Sequence, residues 1–292
     1  MQGLGPNRSQ FFLLVLVNAF VGSMVGLERS VLAGLGQHFQ IDSYSALLSF
    51  IVAFGSTKAI FNLLSGKLAK KISRKNILLL GWIAAIPVPF LLMYAPNWNW
   101  IIVANFFLGI NQGLAWSSTV IMKIDLVGEK NRGLAMGINE FAGYLSIGVA
   151  AYLASEIAAA KGFVYYPFVP GVFFAFTGLA LTYFFVRDTR HHAIQESEVS
   201  KIPMMINVWK ETSYKHHNIG SVTVNAFVNN MNDGVIWGLL PVLLLSRNFS
   251  VGQTGIIVAL YPAVWGLAQL FTGKLGDSLC KKQLITAGMI MQ

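Results

Sequence analysis

The chain has 292 residues, of which 55% are hydrophobic and only 11% charged, and its mean hydropathy is +0.59. A soluble domain carries about 25% charged residues, so this composition excludes an ordinary water-exposed globule and points to an all-α protein in a lipid bilayer. The net charge of +9 does not imply a nucleic-acid partner, because the basic residues sit in short connections between apolar runs, where they set membrane orientation. The single cysteine, Cys280, excludes an internal disulfide and a multi-cysteine metal site.

A membrane-crossing helix needs about 20 mainly apolar residues. Such runs fall near 10–34, 44–66, 76–95, 99–122, 133–157, 164–187, 218–245 and 252–272, and a ninth opens at Gln283. The ninth is too short to cross, so the chain is expected to be cut short after the start of that helix. The first run exceeds the apolar core of a secretory signal, about 7–15 residues, and reads as a retained span. Seventeen of the 21 basic residues fall at Arg8 or in the connections 66–75, 122–132, 187–217 and 273–282. The amino terminus is therefore expected on the cytoplasmic side of the inner membrane. The longest polar connection divides the chain into an expected six-helix bundle (1–190), a linker (191–217) and a partial second bundle (218–292). Within the linker, Ile202–Ile206 with Trp209 suggests an interfacial helix. The pairs His191–His192 and His216–His217 point in different directions and read as solvated rather than as a metal site.

Polar groups inside spans need partners or water. Asn18 lies at mid-depth in the first span, while Glu28 and Arg29 near its outer end are expected to reach the interface. Lys58 in the second span and Glu140 in the fifth fall roughly 10–12 Å from the cytoplasmic boundary at 1.5 Å per residue. An ion pair between them that forms in one state and breaks in another fits this depth, as does a static pair. Asn111, Gln112 and Trp116 lie near mid-depth in the fourth span. In the seventh, Asn225, Asn229, Asn232 and Asp233 share one face, followed by Trp237. Asp233 is the first choice for a carboxyl that binds and releases a coupling proton, although amides on such a face can equally glue helices together. Tyr261, Trp265 and Gln269 form a stripe along the eighth span. Gly22-x-x-x-Gly26 and Gly109-x-x-x-Gly113 allow close helix packing, and prolines at 87, 89, 167, 170, 241 and 262 suit bends.

The connection Gly66-Lys67-Leu68-Ala69-Lys70-Lys71-Ile72-Ser73-Arg74-Lys75 returns 207 positions later as Gly273-Lys274-Leu275-Gly276-Asp277-Ser278-Leu279-Cys280-Lys281-Lys282. A repeat this long suits a membrane protein of two similar halves. The pair resembles the G-x-L-x-D-R/K-x-G-R-R/K loop of the major facilitator superfamily, with Lys70 in place of the acid in the first copy. Asp125-Leu126-Val127-Gly128-Glu129-Lys130-Asn131-Arg132-Gly133 resembles the element that follows that family's fourth span. The resemblance implies two bundles rocking about a central site, with a cytoplasmic gate of Gly66, Arg74, Lys75, Asp125, Arg132, Gly273 and Asp277 latching the halves. Two departures stand out: Asn105 replaces the arginine of the family's proton-driven exporters, and Gly148 is not followed by proline.

The resemblance implies a secondary transporter of a small solute, proton-linked and monomeric, with the bilayer as its other partner and no nucleic acid. No cofactor, metal site or enzyme motif is expected, since neither a phosphate-cradling loop nor a nucleophile beside a base is present. The rival readings are a membrane protein on this scaffold that does not transport, and a facilitator without ion coupling.

Overall fold

The computed structural model describes residues 3–69, 71–128, 131–194 and 207–291, and these hold helices and no strand. The first span is α1 (Leu4–Arg29), continued past a turn by α2 (Leu32–His38). The second is α3 (Tyr44–Leu47) leading into α4 (Ser49–Leu68). The third opens as α5 (Arg74–Ala85), where the Ser73 hydroxyl accepts from the Asn76 N–H at 3.2 Å and satisfies one free donor of the first turn. Pro87 cannot donate to the helical ladder, and the span resumes there as α6 (Pro87–Met93).

The fourth span is α7 (Trp98–Asn111), a π turn at Gln112–Trp116, and α8 (Ser117–Val127). The fifth is α9 (Arg132–Lys161), ended by Gly162 at φ 89°, a conformation open to glycine. A short 3-10 turn leads into α10 (Val169–Phe185), the sixth span. Then come α11 (His217–Ser246), α12 (Val251–Ser278) and α13 (Lys281–Met291). At the start of α12 a reciprocal cap forms: Ser250 accepts from the Gln253 N–H at 3.2 Å, and the Gln253 side chain accepts from the Ser250 N–H at 2.9 Å.

The helices follow the expected runs in order and begin or end within a few residues of them. Among the described residues six are long and apolar enough to cross a membrane: Leu4–His38, Tyr44–Leu68, Arg74–Met93, Arg132–Lys161, Tyr166–Phe185 and Val251–Ser278. The fourth span is divided by its π turn. α11 is long enough but falls below the others in hydropathy, weighed down by its asparagines and Asp233. Lys70 and the expected interfacial helix at 202–206 lie outside the described residues.

Both small-residue pairs bring backbones together. A methyl at Gly22 would sit 2.9 Å from the Gly143 carbonyl carbon, and one at Gly26 would sit 2.8 Å from Ala150 Cβ, so α1 presses directly on α9. Gly109 and Gly113 likewise lie against α4, where added methyls would meet Phe54 O at 2.7 Å and Phe61 Cβ at 2.6 Å. The six N-terminal spans form one bundle, with α11, α12 and α13 as part of a second one. The two meet most extensively where α9 lies along α12. That contact is backbone-close at several levels: Gly133 and Gly137 face Gly273 and Gln269, Gly148 faces Ala259, and Gly255 faces Ser155.

Two expectations about the basic loops are corrected. Arg74 Nε lies 2.6 Å from Asp125 Oδ2, but both belong to the first bundle, joining the start of α5 to the end of α8. Lys75 also stays within that bundle, with Nζ donating to the Tyr183 carbonyl at 2.8 Å. Neither latches the two halves, because α5 and α8 are neighbours in the first bundle and satisfy each other's ends. Glu28 and Arg29 do not reach the interface. Their side chains are fully buried, with the rings of Phe50, Phe54 and Trp237 around Arg29 and Asn105 against Glu28.

Candidate functional site

Between the bundles lies a cavity of about 390 Å³. Its walls come from α1 (Val25), α4 (Phe54, Lys58, Asn62, Gly66), the fourth span (Gln112, Trp116, Ser117, Val120, Ile121), α9 (Glu140, Tyr144, Ile147), α11 (Asn229, Asn230, Trp237) and α12 (Trp265). From Phe54 to Gly66 it follows α4 for about 18 Å at 1.5 Å per residue. It therefore extends from mid-membrane toward the end that carries the basic loops.

The π turn places two wall residues, Gln112 and Trp116, at its two ends. Such a turn inserts an extra residue and re-aims side chains, a device frequent at functional sites. Gln112 Nε2 donates to the Val21 carbonyl at 2.8 Å, which ties the turn to α1. Trp116 Nε1 donates to Glu140 Oε1 at 3.2 Å. Its ring fits because residue 143 is glycine; a methyl there would sit 2.9 Å from Trp116 Cζ2.

Tyr144 is the centre of an aromatic wall. Its ring lies 4.2 Å from Trp265, 5.7 Å from Trp116 and 6.2 Å from Trp237, centroid to centroid, so both bundles contribute. The Tyr144 hydroxyl donates to Asp233 Oδ2 at 2.9 Å, and the Tyr261 hydroxyl donates to Oδ1 at 2.8 Å. One buried carboxylate on α11 is thus held from α9 in the first bundle and from α12 in the second.

Away from the basic loops the cavity is closed by aromatic rings around Arg29. The guanidinium carbon sits 4.5 Å from the Phe54 ring, 5.0 Å from Trp237 and 5.9 Å from Phe50. Arg29 Nη1 is 3.6 Å from Glu28 Oε1, and Glu28 Oε2 accepts from Asn105 Nδ2 at 3.0 Å. A desolvated cation on aromatic faces contributes up to about 2 kcal/mol, and here Trp237 brings that contact across from the other bundle. Gly238 adds to the closure, with Leu48 and Ile51 packed over it.

At the basic end one carboxylate spans the halves. Asp277 accepts from the Gly133 N–H at 2.6 Å and the Leu134 N–H at 2.8 Å, which places it on the N-terminus of α9. Those donors have no partner within the helix, and the helix dipole favours an anion there. Gly273 packs against Gly133 and Gly137 beside it, while Gly66 lies at the cavity mouth.

Of the residues singled out in the sequence, Lys58, Gln112, Trp116, Glu140, Asn229, Trp237 and Trp265 come together around the cavity. Asp233 and Tyr261 adjoin it through the tyrosine bridge. Asn18 does not line it: Nδ2 donates to the Asn139 carbonyl at 2.8 Å and Oδ1 accepts from Thr119 at 2.9 Å, gluing α1 to α9 and α8. Asn111 is likewise turned away, donating to the Gly81 carbonyl at 3.0 Å. Gln269 lies at the α9–α12 contact, its carbonyl against Gly137. Asn225 lines a separate groove beside His216 and His217, so the asparagine face of α11 does not form one continuous wet stripe.

Lys58 and Glu140 make no salt bridge here. Glu140 Oε1 instead accepts from Asn139 at 2.8 Å as well as from Trp116. Tyr144, Asn62 and Asn139 were missed. Tyr144 stands four residues after Glu140 and so shares its helix face, a signal that would have found it.

Known proteins resemble this chain in sequence or in fold. The galactose-proton symporter of Escherichia coli K12 is 28% identical over 159 residues, 52% of this chain and 33% of the symporter. The same symporter from E. coli O6:H1 matches equally. The alignment thus spans about a third of the length of these curated relatives. Among solved structures, a D-xylose-proton symporter superimposes with TM-score 0.55 at 18% identity, over 89% of this chain and 66% of that one. The inward-open xylose transporter XylE of E. coli gives 0.52 at 14% identity, over 96% of this chain and 95% of the other. The Major Facilitator Superfamily profile matches residues 11–217, most of the chain, and this multi-pass membrane protein belongs to that superfamily.

Proposed function

We propose that the chain works in secondary transport of a small polar solute by alternating access, with Asp233 as the proton-binding group. Its basic loops face the cytoplasm, and residues 1–190 and 218–292 move as two bodies joined by 191–217. The protein acts as a monomer. The observation that carries this reading is the Tyr144–Asp233–Tyr261 bridge, which runs from one bundle to the other through a single carboxylate.

An ionised carboxylate accepts both hydroxyl protons. Once protonated, one of its oxygens becomes a donor, so one tyrosine contact must reverse or break. Hydrogen bonds to charged groups contribute about 1.5–3 kcal/mol, enough to shift an equilibrium between two bundle arrangements by tenfold or more. The proton coupling named for the similar galactose and xylose symporters supports the same coupling ion.

The test is uptake into proteoliposomes of labelled sugars and sugar acids, with and without an imposed pH gradient. The wild-type chain should accumulate a solute only under the gradient, and Asp233→Asn should exchange it without accumulating it. Accumulation by Asp233→Asn equal to wild type removes Asp233 from the coupling. Uptake indifferent to the gradient makes the protein a facilitator.

A further inference from the structure

We propose that the solute carries a carboxylate, held in the cavity by the Lys58 ammonium; this rests on the proton site assigned to Asp233 above. Among the described residues six acidic or basic side chains lie in the spans around the cavity, and the geometry sorts them. Glu28 and Arg29 adjoin each other beyond the aromatic closure. Lys123 Nζ is hydrogen-bonded to Asn139 Oδ1, and Asn139 Nδ2 donates to Glu140, so that lysine and that glutamate are joined through one amide. Lys58 and Asp233 are left over. Lys58 feels the charges of Asp233 and Glu140, and Asp233 is held by two tyrosine hydroxyls. Lys58 has no hydrogen bond or ion pair among the described residues, and its Nζ stands 5.7 Å from the Phe54 ring and 6.0 Å from Trp116.

When Asp233 takes up a proton, this set holds one more positive than negative charge, and Lys58 is the cation of the set that lines the cavity. An ammonium in a low-dielectric cavity is costly unless paired, so the loaded state calls for one negative charge from the solute. The cavity's hydrogen-bonding groups point the same way. Asn62 Oδ1 is occupied by the Ser117 hydroxyl at 2.7 Å, Glu140 Oε1 by two donors, and both Asp233 oxygens by tyrosines. The buried Trp237 indole N–H is without an acceptor, and the half-buried Lys58 lines the same cavity with no acceptor among the described residues. A cation and an N–H left without acceptors in one cavity suit an acceptor-only group such as a carboxylate. At about 390 Å³ the cavity lies toward the small end of ligand pockets, roughly 300–1,000 Å³.

The experiment measures thermal unfolding of the full chain in lipid nanodiscs with matched pairs of probes: gluconate against glucose, galactonate against galactose, and xylonate against xylose. At least one acid should raise the melting temperature while its neutral sugar does not. Lys58→Gln should weaken that acid's apparent affinity tenfold or more, and Lys58→Arg should restore most of it. If neutral sugars bind as tightly as their acids, or if Lys58→Gln leaves acid binding unchanged, the carboxylate assignment is overturned while the transport reading stands. If no member of any pair binds, both are overturned.

Discussion

Replacing Asp277 by asparagine tests a carboxylate that clamps the bundles at the basic end. Its two oxygens accept from consecutive amides at the start of α9, at 2.6 and 2.8 Å. Hydrogen bonds to a charged group contribute about 1.5–3 kcal/mol each when shielded. Asp277 is exposed, so solvent screening brings the expected total down to about 1.5 kcal/mol, including its favourable place at the helix N-terminus. Asparagine keeps one acceptor oxygen and loses the charge. The balance between the closed and open basic end should then shift roughly tenfold, since 1.4 kcal/mol corresponds to one decade. The assay is the rate of disulfide cross-linking between cysteines placed at Asn131 and Lys274, in a Cys280→Ser background. Asp277→Asn should slow it several-fold, and adding Arg74→Gln should have no further effect on it, because Arg74 pairs within the first bundle. An unchanged rate in Asp277→Asn, or an equal loss in Arg74→Gln alone, refutes this account of the gate.

Further expectations concern burial, packing and orientation. Arg29→Met strands Glu28 in a buried site and should cost about 3–5 kcal/mol of stability; Arg29→Met with Glu28→Gln should recover much of it in thermal unfolding. Gly137→Val places a branched side chain where a single methyl already lies 3.1 Å from Gly273 Cα, so it should lower the melting temperature and weaken the α9–α12 contact read by cross-linking. Ser250→Ala removes one arm of the cap on α12 and should cost about 1 kcal/mol. Cys280, outside the spans and exposed, has its thiol held below the usual range by the backbone N–H groups of Gln283 and Lys282. Maleimide labelling should therefore reach half its maximal rate at a lower pH than for a free thiol. An impermeant maleimide should label Cys280 in inside-out vesicles and not in right-side-out ones; the reverse inverts the proposed orientation.

The order of the helices was legible because each span announces itself by a run of apolar residues bounded by charge. The two glycine pairs were legible for a similar reason: small residues at that spacing have few uses other than close packing. What the residues alone do not carry is the rotation of each helix about its axis. Asn18, Asn111 and Gln112 have the same chemistry at similar depth, yet Asn18 and Asn111 bond into neighbouring helices and Gln112 meets the cavity. Arg74 and Asp277 occupy corresponding copies of a repeated loop, yet one salt bridge stays inside a bundle and the other carboxylate crosses between bundles. The pattern of residues is shared; the partner depends on which helix lies alongside. Glu28 and Arg29 were misjudged because depth was read from sequence distance, whereas the rings of Phe50, Phe54 and Trp237 close over Arg29 and Asn105 holds Glu28.

The central claim is that protonation of Asp233 loosens a link between two bundles that then move in opposite senses at the two ends. Pulsed electron-electron resonance can follow it directly, with one pair of spin labels at Val52 and Leu239 away from the basic loops and another at Lys67 and Lys274 beside them. On acidification the account predicts that one distance lengthens as the other shortens, and that Asp233→Asn abolishes the pH response of both. Two distances that stay fixed, change in the same sense, or respond to pH in Asp233→Asn as in wild type contradict it.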